Sequence, residues 1–150
     1  MSMFTLALLI LWSYIFPASG SSQKTKQFPD NWNDAEYRVL YVVPGASFKH
    51  PASIESIEYN LNMLSGNRNV SVACMINFYD DTRPKSTFTT GQNLLWRCET
   101  QIFHGAGYGD NIKSVLPAMV RMGGFTHVAL ILDDVTLDQN FDLHRFIGLM

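Results

Sequence analysis

The sequence is poor in cysteine and in net charge, and each shortage excludes a class of protein. Two cysteines occur among 150 residues, too few for a disulfide-dense scaffold. The formal net charge is -2, and 16% of residues are charged. That balance argues against a partner held by a basic surface, and so against nucleic acid. No internal repeat or low-complexity tract follows residue 36. The nucleophile motif Gly-x-Ser-x-Gly is missing. His50, His104, His127 and His144 show no metal-ligand spacing. What is present is apolar: 47% of residues are hydrophobic, too many for a disordered chain. The length suits one domain of modest size.

The chain begins with an uncharged apolar run, Phe4 to Phe16, followed by Pro17-Ala18-Ser19-Gly20. A membrane-spanning helix needs about 20 apolar residues. A secretory signal needs about 7–15, closed by small residues. Ala18 and Gly20 hold the two small-residue positions for cleavage after Gly20. Residues 1–20 therefore read as a signal peptide. An uncleaved signal anchor is the alternative, and it is the one membrane association expected. The expected location is the secretory pathway, either the ER or Golgi lumen or outside the cell, with a membrane-anchored form as the alternative. In that oxidising route Cys74 and Cys98 are candidates for a disulfide. Asn69-Val70-Ser71 is an N-glycosylation sequon in a polar, loop-like stretch.

Residues 21–36 are polar and read as a linker or stem. From Tyr37 to residue 150 the pattern is that of an α/β domain. Arg38 to Val43 is a short apolar run closed by Pro44-Gly45, as expected of a strand buried on both faces. Ile54, Ile57, Leu61 and Leu64 follow at helical spacing, with Ser53 as N-cap and Gly66 as the stop. Val70 to Tyr79 is a second strand. Leu94 to His104 fits helix or strand, and the Gly-rich turn after it favours a strand over Glu99 to His104. Ile112, Val115, Leu116, Met119 and Val120 give a helical stripe capped by Asp110. Pro117 should kink that helix or delay its start, and Gly123-Gly124 should end it. His127 to Leu132 is a third apolar strand. Leu143, Phe146, Ile147 and Met150 begin a last helix.

Strands alternating with helices imply parallel crossovers and an α/β layer fold. Ligands in such sheets bind beyond the carboxyl ends of the strands. Those ends carry Pro44-Gly45-Ala46-Ser47, Asp80-Asp81 and Asp133-Asp134. A carboxylate pair after a buried strand suits a hard cation shared with substrate phosphates. Acidic residues also end strands and cap the next element without binding anything. Asp80-Asp81 enters a loop with Arg83 and Lys85 and reads more as a solvated turn.

The stretch Phe125-Thr126-His127-Val128-Ala129-Leu130-Ile131-Leu132-Asp133-Asp134-Val135-Thr136-Leu137 resembles the strand and acidic motif of glycosyltransferases with the GT-A fold. Asn140-Phe141-Asp142-Leu143-His144-Arg145-Phe146 is similar to the segment after that motif in a group of eukaryotic glycosyltransferase-like proteins. The resemblance implies a Rossmann-like, mostly parallel sheet flanked by helices, present here as its N-terminal portion. It implies Mg²⁺ or Mn²⁺ at Asp133 and Asp134, and a nucleotide-diphosphate sugar bordered by Pro44, Gly45, Ala46, Ser47, Asp80 and Asp133. The acceptor would be a glycan or another hydroxyl compound. The family motif has three positions, and here Val135 or Leu132 stands where one carboxylate is expected. A secreted or membrane-tethered α/β binding module without catalysis is the alternative. A phosphate-binding receiver-like domain using Asp80 and Asp133 fits the topology but not a secretory route.

Overall fold

A computed structural model describes residues 28–67, 69–80, 92–104 and 107–149. The apolar run Phe4 to Phe16 and the cleavage residues Ala18 and Gly20 lie outside the described residues, as does Asp81. Among the described residues, no helix is long and apolar enough to cross a membrane.

Among the described residues, four strands and four helices alternate: β1 Tyr37–Ala46, α1 Pro51–Ser65, β2 Val70–Phe78, α2 Gln92–Arg97, β3 Cys98–Ile102, α3 Tyr108–Met122, β4 His127–Leu130 and α4 Leu143–Gly148. The strands form one all-parallel sheet in the order β3-β2-β1-β4. An α/β layer fold is therefore what the chain adopts. β1 and β2 occupy the middle of the sheet, which is why their sequences are apolar almost without interruption.

The sheet separates two cores. Val39, Tyr41 and Val43 of β1 face the side covered by Ile54, Ile57, Leu61 and Leu64 of α1 and by Leu143 and Ile147 of α4. Leu40 and Val42 face the other side, against Val115 and Ala118 of α3 and against Trp32. The period-2 alternation of β1 thus serves both layers. Trp32 is buried and stacks on Phe28 at 4.6 Å. Asn31 accepts a hydrogen bond from Ser71 Oγ at 2.9 Å. The domain therefore takes in at least residues 28–36 of the segment read as a stem.

Several boundaries differ from the sequence reading, each for a local reason. β1 runs on through Pro44-Gly45 to Ala46 with a register shift, pairing Val43 with Ile76 and Ala46 with Phe78. The shift absorbs the proline, which lacks an N–H for the ladder. α1 starts at Pro51 rather than after Ser53, since proline suits the first helical position. α3 starts after Gly107, which leaves Asp110 in its first turn. α3 also continues through Pro117. That residue lies on the exposed side of the helix, where the hydrogen bond it removes is not a buried one. Gly123 and Gly124 do end α3, both with positive φ, 57° and 67°. The ambiguous stretch divides into α2 and β3, and β4 stops at Leu130 rather than Leu132.

Candidate functional site

Chain direction fixes where a cleft can form. The path runs β1, β2, β3 toward one edge, then returns through α3 to place β4 on the other side of β1. In parallel sheets such a reversal is where ligands commonly bind, beyond the carboxyl ends of the strands on either side of it, here β1 and β4. The end of β1 and the β1–α1 turn, residues 44–50, lie on one side of that point, and the segment after β4 lies on the other.

The β1–α1 turn is held from the β2 side. Ser47 is fully buried and its Oγ donates to Asp80 Oδ2 at 2.6 Å. The same Oγ accepts from the Lys49 backbone N–H at 3.0 Å. Lys49 Nζ stands 3.7 Å from Asp80 Oδ2. Phe48 stacks on Phe78 at 4.6 Å. Pro44 and Ala46 are buried, and Gly45 is only partly covered. Of the four turn residues singled out from sequence, Gly45 alone offers surface to a ligand. Ser47 is engaged in fastening the turn.

Asp133 lies on the other flank, half-buried, with Asp134 exposed beside it. Burial raises the Asp133 carboxyl above its ordinary value, and the Asp134 charge adds to the rise. The Ser53 hydroxyl and His50, both close to it, act to lower it. Both of these partners belong to the start of α1. No acidic residue stands in the first turn of α1 itself, and its N-cap, His50, makes no side-chain capping bond. Asp133 thus brings a carboxylate to the positive end of that helix from another element.

The segment after Asp134 is pinned to α1 by a residue that sequence patterning does not single out. Asn60 is fully buried. Its Nδ2 donates to the Val135 carbonyl at 2.7 Å, and its Oδ1 accepts from the Leu137 N–H at 2.8 Å. Asn60 also lies against the Tyr41 phenol, which burial holds far above its usual range, with the Asp133 charge adding to the rise. A second buried amide, Asn77, donates to the Pro44 carbonyl at 2.9 Å. Both amides are polar residues at inward positions, and only the fold reveals their partners.

Asp80 and Asp133 therefore flank one turn from opposite sides. Among the described residues, no three His, Cys, Asp or Glu side chains gather as a metal cage. Two hollows lie elsewhere: one beneath α4 against Val39 and Ala129, one between α1 and residues 139–142. Cys74 and Cys98 are joined by a disulfide between register partners of β2 and β3, Cα atoms 4.5 Å apart. Asn69 is exposed at the opposite rim of the sheet, just before β2. No family model, no curated protein and no solved structure matches the chain.

Proposed function

We propose that the chain carries a GT-A-type, glycosyltransferase-like domain of the secretory pathway. It binds a nucleotide-diphosphate sugar through Mg²⁺ or Mn²⁺, and the acceptor is a glycan or another hydroxyl compound. The observation that carries this reading is the reversal of strand order at β1 and β4, with Asp133-Asp134 at the end of β4 and the β1–α1 turn opposite.

The donor set fits the ion. Mg²⁺ is commonly held by one or two carboxylates, with substrate phosphates and water filling the remaining places. Asp133 and Asp134 supply two hard oxygen donors, and their half-buried and exposed settings leave an open side. When bound, the cation would neutralise charge on the departing diphosphate. Gly45 would border the nucleotide, and the Asp80–Ser47 bond would keep the turn in place. Lys49, close to Asp80 and otherwise exposed, would face the phosphates.

A second reading, a binding module without catalysis, draws on a separate observation: both acids already have structural work. Asp80 holds Ser47 and Lys49, and Asp133 lies beside Ser53 and His50 at the start of α1. Calorimetric titration of nucleotide-diphosphate sugars with Mn²⁺ separates the two. The first reading expects metal-dependent binding that is lost in Asp133→Ala/Asp134→Ala. No binding, or binding unchanged in that variant, removes the donor site.

A further inference from the structure

The chain contains a single Asn-x-Ser/Thr sequence, Asn69-Val70-Ser71. The fold treats its two polar ends differently. Asn69 is exposed, with φ of 63°, in the short connection from α1 to β2. Asparagine tolerates that left-handed conformation better than most residues. Its backbone carbonyl accepts from the Tyr37 N–H at 3.1 Å, which starts the β1–β2 pairing. Ser71 is 2% exposed, and its Oγ already donates to Asn31 Oδ1 at 2.9 Å. Val70 between them is equally buried. Three residues after Ser71, Cys74 ties β2 to β3 through the disulfide.

We infer that Asn69 is an N-linked glycan acceptor, and that it accepts the glycan only before β2 is in place. In the transfer, Asn69 Nδ2 bonds to the anomeric carbon of a lipid-diphosphate-linked oligosaccharide. The bond from that carbon to the diphosphate oxygen breaks, the lipid diphosphate leaves with the electron pair, and the amide gives up one proton. The transferring enzyme must engage the asparagine amide and the hydroxyl two residues on together. In the folded chain the amide is available and the hydroxyl is not. Freeing Ser71 means opening the first residues of β2, a central strand, and the Cys74–Cys98 bond opposes that opening. The glycan would stand at the amino-terminal rim of the sheet, away from Asp133. The inference therefore holds whether or not the proposed donor site binds a nucleotide sugar.

The experiment has two arms. The full chain is synthesised with microsomes, and its gel mobility is compared before and after peptide N-glycosidase and in Asn69→Gln. One glycosidase-sensitive shift, missing in the variant, is expected. The purified, unglycosylated chain is then offered with lipid-linked donor to an oligosaccharyltransferase, once folded and oxidised, once reduced and unfolded. Transfer to the folded form should be slower by about tenfold or more, because it waits on local opening of β2. A chain that stays outside the microsomes, or enters them unmodified, overturns the inference. So does a folded form that accepts the glycan as fast as the unfolded one.

Discussion

Replacing Asn60 tests how the acidic end of the candidate site is held. Asn60→Ala removes a donor to the Val135 carbonyl and an acceptor from the Leu137 N–H. The Leu137 bond is buried and the Val135 bond partly so. A buried backbone group left without a partner costs about 1–3 kcal/mol. One buried and one partly hydrated group together give about 2–4 kcal/mol. A domain of this size is stable by only about 5–15 kcal/mol. At about 3–5 °C per kcal/mol, the melting temperature should fall on the order of 10 °C. Asn62→Ala is the control. It lies on the same helix, undergoes the same chemical change and gains the same helix propensity. The Asn62 Oδ1 accepts from exposed Arg97, so the cost there should stay within about 0.5 kcal/mol. Urea denaturation of both variants measures the difference. Equal losses would refute the claim that Asn60 pins the segment after Asp134 from the α1 side.

Two further outcomes follow from the same structure. The disulfide closes a sequence separation of 24 residues. On the chain-entropy account, Cys74→Ala/Cys98→Ala should cost about 3.5 kcal/mol; a loss below about 1 kcal/mol in guanidinium denaturation would contradict it. Folding raises the Asp133 carboxyl above its ordinary 3.8, so the folded state holds that proton more tightly than the unfolded chain. Its favourable contribution is complete below that value and is lost as pH rises through the folded value. Asp133→Asn should therefore raise the urea midpoint at pH 7 and leave it nearly unchanged at about pH 3, while abolishing Mn²⁺ binding. A midpoint unchanged at pH 7 would mean that the carboxylate is not strained by its burial.

The central strands were legible because burial on both faces leaves continuous apolar runs. β1 and β2 announce themselves in this way, whereas the stripe of α3 marks the helix but not its buried face: Val115 is buried, Leu116 and Val120 are exposed. The Asp133-Asp134 pair was legible because it interrupts such a run. Trp32 was not, since an isolated aromatic in a polar stretch carries no periodic signal. Asn60 and Asn77 were hidden for the opposite reason. A buried amide is chemically the same as a surface one until its partners, here Val135, Leu137 and Pro44, are known. The resemblance implies Ser47 as a ligand contact. Its actual partner, Asp80, lies 33 residues away, and no local pattern encodes that.

The register shift at the end of β1 acts as a phase changer. Val43 and Ala46 both face the α1 core, although an uninterrupted strand would send residues three apart to opposite faces. Three steps along β1 are matched by two along β2. The turn that follows inherits this extra residue. A plain ladder of the same length would instead turn Ala46 to the opposite face and carry Ser47 round with it, off Asp80. The extra residue on β1 therefore sets the facing of the β1–α1 turn.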